Sequence, residues 1–355
     1  MESQKNNEPR NKSYYILFFM AIILTGFLLK TLSSVVIPII ITILIAFALY
    51  PLIDRIHSKT HIPWALVCIL LILAVLILLI MLSSLLITGL STIIVEYPKY
   101  ESRFLSIYKV IAENLGLHFN SEESFLTNLL NIVNIKQLVK AVAGFLSGGV
   151  VSAGKAFILV VLMLIFLLIE IKSMKERFVS SLRNSDKVKI TGMIKQIITD
   201  VTHFLSIKLF ISIITGILIF FITLALGMDF PIVWGFIAFI MNFIPTFGSI
   251  FSTIVTTLFC LLQFYPGYGK VVIIFISMIV INFGLGNVLE PRIEGNRLGL
   301  SPFAILVCLS FWGWMWGFTG LIIAVPMTVI IKIICENIPY LNWFANLLGK
   351  ERKNE

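Results

Sequence analysis

Two long stretches without a charged side chain constrain this sequence more than any other feature. They cover residues 230–269 and 298–331. A helix that crosses a bilayer needs about 20 apolar residues, so each stretch is long enough to enter a membrane and turn back. With 59% hydrophobic and only 13% charged residues, the whole chain is far more apolar than a soluble domain. We therefore predict an all-α polytopic membrane protein.

The remaining apolar stretches set the expected number of crossings. They are long and do not alternate, which favours helices over barrel strands. If each uncharged run forms a re-entrant hairpin, the fold has about six full crossings plus two hairpins; eight crossings is the alternative. The segments expected to cross are 14–29, 31–49, 62–95, 150–169, 209–228 and 271–289.

Charge and hydropathy divide the chain into five expected regions. Residues 1–95 form an N-terminal tail with three membrane helices, and residues 96–149 form an extracytoplasmic helical insertion. Residues 150–206 form a membrane helix followed by a basic amphipathic helix. Residues 207–335 form a membrane core that contains both uncharged runs, and residues 336–355 form a cytoplasmic tail.

The formal net charge of +9 is typical of basic cytoplasmic loops and does not require a nucleic-acid partner. Region 172–208 is strongly basic, so we expect it in the cytoplasm. That places both termini in the cytoplasm, with the lipid bilayer as partner. The apolar face of residues 190–205 fits the membrane surface, a neighbouring subunit or the chain's own helices.

The two uncharged runs begin with related sequences. "LGMDFP" at 226–231 precedes the first run, and "LGLSP" at 298–302 precedes the second. The spacing from Pro231 to Pro245 equals the spacing from Pro302 to Trp316, so both runs are expected to break at similar depth. One crossing plus one hairpin would then repeat with opposite topology, which is typical of secondary transporters.

The first break, in "NFIPTFGS", supplies candidate substrate-binding residues. Proline costs about 3 kcal/mol inside a helix and glycine about 1 kcal/mol, and unpaired backbone in a membrane must face protein or a watery cavity. A hairpin tip would expose the N–H groups of the second leg together with neutral donors and acceptors. A kink with a glycine for close packing is the alternative. The candidates are Asn242, Pro245, Thr246, Gly248 and Ser249.

Two further clusters complete the candidate site. The second break carries Trp316, Gly317, Thr319 and Gly320. The aromatic ring of Trp316 could stack on a solute or anchor the tip at an interface. The segment "INFGLGNVLEPR" carries the amides of Asn282 and Asn287 and the charged pair Glu290 and Arg292. Glu290 could couple a proton or cation to transport, or form an ion pair with Arg292 or Arg297 at the membrane edge.

Enzymatic and metal chemistry have no recognisable motif in this chain. It lacks the metalloprotease, serine-hydrolase and phosphate-loop signatures, and its four cysteines form no CxxC pair. None of the four histidines has metal-ligand spacing. We therefore predict a protein that is not an enzyme and that has no cofactor and no metal.

At these motifs the sequence resembles the autoinducer-2 exporter family of bacterial membrane proteins. The resemblance rests on "NFIPTFG" at 242–248, "NVLEPRIEGNRLGLSP" at 287–302 and the stretch ending in "AVP" at 324–326. Family members commonly carry an aromatic residue and a proline where this chain has Thr246 and Ser249, so its tip is more polar.

The resemblance implies an oligomeric permease for small solutes. Family members are linked to export of a furanone signal, autoinducer-2, and some to sodium–proton exchange. The leading hypothesis is a secondary transporter that exports a small polar metabolite or signal by alternating access. The alternatives are a sodium–proton antiporter and a non-transporting structural membrane protein.

Overall fold

The computed structural model describes residues 8–77, 150–182, 184–295 and 299–349, together with residues 80, 81, 84, 89, 100, 103, 106 and 107. Most of the insertion expected at 96–149 lies outside the described residues. Within them the chain is helical, and its β-type pairing is a single bridge between Leu300 and Gly349.

The described residues form helices of widely varying length. In chain order they are α1 Glu8–Thr31, α2 Ser33–Thr60, α3 Trp64–Ile77, α4 Val150–Ser181, α5 Asn184–Ala225, α6 Pro231–Met241, α7 Phe247–Phe264, α8 Tyr268–Asn282, a π-helical segment Phe283–Leu289, α9 Glu290–Glu294, α10 Pro302–Asn337, a short 3₁₀ turn Pro339–Leu341 and α11 Asn342–Leu348.

Five helical stretches among the described residues are long and apolar enough to cross a membrane. They are Ser33–Thr60, Lys187–Ala225, Phe247–Phe264, Tyr268–Glu294 and Pro302–Asn337. Their outer faces carry many exposed large apolar side chains, as expected of helices that face lipid. The protein is therefore an all-α, multi-pass membrane protein.

Helix α5 is longer than either segment expected in its place. It has 42 residues and joins the amphipathic stretch 190–205 to the expected crossing at 209–228 without a break. The apolar face of 190–205 packs on the chain's own helices, because Val201 and Phe204 lie in a cluster with residues of α2 and α10. Thr202 donates a hydrogen bond of 2.9 Å to the Phe47 carbonyl of α2.

The first uncharged run folds as α6 and α7, and α6 lies tightly against α5. Pro231 begins α6 at a position that tolerates proline. Gly216 and Gly235 allow the two backbones to touch, since a Cβ atom at Gly235 would lie 2.7 Å from the Gly216 carbonyl oxygen. At the far end of α7, the side-chain amide of Gln263 bonds the carbonyl of Gly227 and the N–H of Asp229. The run therefore ends beside its own start.

The second uncharged run doubles back within α10. Trp316 and Gly317 have non-helical backbone angles, and Gly320 lies so close to Trp312 that a methyl group there would overlap the Trp312 carbonyl. The Lys332 amine donates to the Gly299 carbonyl at 3.0 Å, next to the start of the helix. Both runs thus break at the predicted positions. In each, the glycine carbonyl of the "LG" sequence, Gly227 or Gly299, accepts a hydrogen bond from a side chain near the end of the same run.

Candidate functional site

A cavity of about 420 Å³ lies where α5, the start of α7 and the α8–α9 segment meet. It gathers residues from two of the three polar clusters that the sequence singled out in this half of the chain, the first break and the segment 281–292. Its lining consists of Lys208, Asn242, Ile244, Pro245, Thr246, Ser249, Ile250, Thr253, Ile254, Phe275, Ile279, Asn282, Phe283, Gly286, Asn287 and Glu290. We call this cavity the central pocket.

The Lys208 amine and the Glu290 carboxylate form an ion pair in the wall of the central pocket. Lys208 Nζ lies 2.7 Å from Glu290 Oε1, and the two side chains are only 4% and 13% exposed. The sequence suggested Arg292 or Arg297 as the partner of Glu290 if it was paired. The structure instead joins Glu290 to a lysine 82 residues earlier in the chain. Arg292 is exposed and does not line the pocket.

The tip between α6 and α7 is a tight turn centred on Thr246. Its φ and ψ are 63° and −57°, and the Phe247 N–H bonds the Pro245 carbonyl at 2.7 Å. This is the geometry of a γ-turn, a rare and strained form for a residue other than glycine. Gly248 follows, and a methyl group there would overlap the Met241 carbonyl.

The backbone of this tip satisfies donors that the sequence analysis expected to be free. The Phe247 and Gly248 N–H groups bond the carbonyls of Pro245 and Ile244 rather than facing a solute. These two N–H groups are therefore occupied within the turn. Thr246 and Ser249 bring hydroxyl groups to the lining at this point.

Two asparagine side chains fix the pocket walls to one another. Asn242 donates a buried hydrogen bond of 3.0 Å to the Ser212 hydroxyl of α5. Asn282 donates one of 3.0 Å to the Thr253 hydroxyl of α7. Each bond joins separate elements, so both amides position the tip as well as line the cavity.

A π-helical segment between α8 and α9 aligns the third cluster with the pocket. Gly284 and Gly286 weaken regular α-helix there, since glycine is a poor helix former. π-Helical turns are rare and often occur at functional sites. Here the wider turn places Asn282, Asn287 and Glu290 together in the lining.

The predicted residues of the second break lie elsewhere. The Trp316 indole is buried and donates to the Leu29 carbonyl at 3.1 Å, and Gly320 packs on Trp312. Gly317 provides the positive φ of the break, and Thr319 follows it. The structure does not bring these four residues into the central pocket, and their role in binding remains a prediction.

Sequence reasoning missed Lys208 and Thr253. Lys208 was counted among the cytoplasmic bases, yet it is followed on the same helical face by Ser212 and Thr215, all buried. A lysine that heads such a buried polar stripe is the signal that could have identified it. In the described ranges, no three His, Cys, Asp or Glu side chains come together in a way that could hold a metal ion.

Comparisons with known proteins agree over nearly the whole chain. A family model described as "AI-2E family transporter" matches residues 17–340. A Borreliella burgdorferi protein with a provisional transport-protein name is 30% identical over 336 residues, covering 95% of this chain and 90% of that protein. The AI-2 transport protein TqsA of Escherichia coli K12 is 28% identical over 339 residues, covering 92% of each.

Proposed function

Because this chain belongs to the AI-2E transporter family, we propose that it is a secondary transporter that moves a small polar solute through the central pocket by alternating access. The observation that carries the proposal is the pocket itself. It joins the break of the first hairpin to the Asn282–Glu290 cluster, and about 420 Å³ is within the range of small-molecule sites.

Contacts along α5 support two re-entrant hairpins of opposite direction. At the C-terminal end of α5, the Leu226 carbonyl accepts a bond of 2.8 Å from Lys270 at the start of α8. Further back along α5, Lys208 meets Glu290. The α8–α9 segment therefore runs antiparallel to α5 over about 27 Å, close to the thickness of the hydrocarbon core.

The start and end of each hairpin meet at opposite ends of this antiparallel stretch. The first closes at Gly227, beside the end of α5, and its tip reaches Ser212 through Asn242. The second closes at Gly299, beyond Glu290. We infer that the first hairpin enters from outside and the second from the cytoplasm, and that opposed broken helices of this kind frame the solute path.

The lining favours a solute with several hydroxyl or carbonyl groups. Thr246 and Ser249 contribute hydroxyls, and Asn242 and Asn287 contribute amides, which serve as both donors and acceptors. A hydroxylated furanone such as autoinducer-2 fits this description, and TqsA is named for AI-2 transport. We propose export as the direction and the cytoplasmic membrane, with both termini inside, as the location. We also propose a homo-oligomer as the assembly.

Flux into proteoliposomes tests the proposal. Autoinducer-2 and a panel of small polyols are the solutes, and Ser249→Ala/Asn287→Ala is the test variant. We expect the double variant to lose at least about tenfold in flux, since two hydrogen-bonding groups are removed from the lining. Ser310→Ala is the control, because the exposed Ser310 hydroxyl donates to the Leu306 carbonyl of its own helix and does not line the pocket. Equal flux in both variants would refute the pocket as the solute path.

A sodium–proton antiporter is the second candidate function, and one observation favours it. Glu294 lies one turn after Glu290, and its Oε1 atom is buried without a hydrogen-bond partner among the described residues. Two carboxylates and one amine near a pocket are suitable for exchanging cations. Sodium-driven proton movement in liposomes without added organic solute, lost in Glu290→Gln, would favour this function over solute export.

A further inference from the structure

We propose that the Lys208–Glu290 pair keeps the central pocket electrically neutral and thereby restricts it to uncharged polar solutes. The inference rests on the transport function proposed above and names its substrate class.

All other residues of the pocket lining are uncharged. They are apolar, amide or hydroxyl residues, together with Pro245 and Gly286. The pair's charges are opposite and only 2.7 Å apart, so they cancel within a short distance. Whichever of the two atoms holds the proton, the pair's net charge is zero.

A neutral pocket discriminates strongly against ions. A charged solute entering it loses hydration and meets no uncompensated counter-charge, which is unfavourable in a partly buried site. A neutral solute loses only hydrogen bonds to water, and the Asn and hydroxyl side chains replace them. The same pocket with one member of the pair removed would carry a full charge and attract ions of opposite sign.

The position of the Lys208–Glu290 pair fits a role in selecting uncharged solutes better than a role in cross-linking the pocket walls. Lys208 and Glu290 line the cavity directly, whereas the neighbouring side chains of Arg292 and Glu294 do not. The walls already have two cross-links without charge, Asn242 to Ser212 and Asn282 to Thr253.

The charge of the pocket can be measured without knowing the solute. In a variant whose four cysteines are replaced, Ser249→Cys places one thiol in the lining. The rates of its modification by an anionic sulfonatoethyl and a cationic trimethylammonioethyl methanethiosulfonate are then compared in the full-length protein. Their ratio cancels differences in thiolate content, so it reports the local electrostatic potential.

Glu290→Gln should raise the ratio of the modification rate by the anionic reagent to that by the cationic reagent about tenfold. Lys208→Gln should lower this ratio by a similar factor. The double variant Lys208→Gln/Glu290→Gln should return it to the original value. Lys195→Gln, on the exposed face of α5, and Glu336→Gln, on α10, are matched controls that change net charge away from the pocket. Both should leave the ratio unchanged.

An unpaired buried group can neutralise itself by a proton shift, so the ratio is measured from about pH 5.5 to 8.5. A ratio that is the same in all variants at every pH overturns the inference. The double variant is the control for misfolding. It should give the original ratio of modification rates and elute from a size-exclusion column as a folded particle. This outcome is separate from the proposed function: zero flux for all solutes refutes transport, whereas the reagent ratio tests only the pocket charge.

Discussion

Thr246 and Gly317 hold corresponding positions in the two helix breaks, and both have a positive φ, 63° and 61°. Thr246 follows Pro245 and Gly317 follows Trp316, the two positions that the repeat spacing matches. Only the second break has the residue that this backbone favours, because glycine adopts positive φ without steric cost. The strain at Thr246 is therefore local to the break whose side chains line the central pocket.

Relieving that strain should stabilise the protein. Thr246→Gly removes a β-branched side chain from an unfavourable backbone region, which typically costs about 1–3 kcal/mol. Part of this gain is offset by the flexibility of glycine in the unfolded chain. We expect a higher thermal unfolding temperature in detergent, with lower flux because a lining hydroxyl is lost. Thr257→Gly, in the middle of α7, should instead lower the unfolding temperature; a decrease in both variants would contradict strain at Thr246.

The glycines of the two turns should not tolerate a methyl group. At Gly248 and Gly320 a Cβ atom would overlap the backbone carbonyls of Met241 and Trp312. Backbone cannot move aside as a flexible side chain does, so alanine at either site should destabilise by at least about 1–3 kcal/mol. Gly269→Ala is the control, since no atom lies near its added methyl group. Thermal unfolding of the three purified variants checks this, and equal unfolding temperatures would contradict the tight turns.

The breaks themselves were predictable from the sequence. Proline, glycine and the matched spacing of the two runs located them at Pro245 and Trp316, and the structure breaks both runs there. Asn282 and Asn287 were also predicted as substrate-binding candidates, and the structure places both in the lining of the central pocket together with the first tip. Local composition reports such features because backbone propensity acts over a few residues.

The partners of the side chains were not predictable. Lys208 meets Glu290, 82 residues away, and Trp316 donates to Leu29, 287 residues away. These contacts depend on how whole helices pack, and no local pattern encodes them. The N–H groups of Phe247 and Gly248 were missed for a different, local reason: the tight turn at Thr246 brings the carbonyls of Pro245 and Ile244 within hydrogen-bonding distance of them.

The proposed arrangement of two opposed hairpins predicts on which side of the membrane two exposed positions lie. Gly267 follows the first hairpin, and Tyr340, which is 89% exposed, follows the second. With the native cysteines replaced, Gly267→Cys should react with an impermeant thiol reagent added outside intact cells. Tyr340→Cys should react only after the membrane is opened. Labelling of both positions from the same side would refute the proposed topology.

The Lys208–Glu290 pair should also show strong energetic coupling. Removing one partner leaves a buried, unpaired charge and typically costs about 3–5 kcal/mol, whereas replacing both with apolar groups of similar size is often nearly neutral. We therefore expect Lys208→Met and Glu290→Leu each to lower the unfolding temperature sharply in detergent. The double variant should recover most of the loss. The exposed pair of Arg177 and Glu170 serves as the control, because surface pairs contribute only about 0–1 kcal/mol. If the double variant instead lost as much in unfolding temperature as the two single variants together, the two charges would not depend on each other.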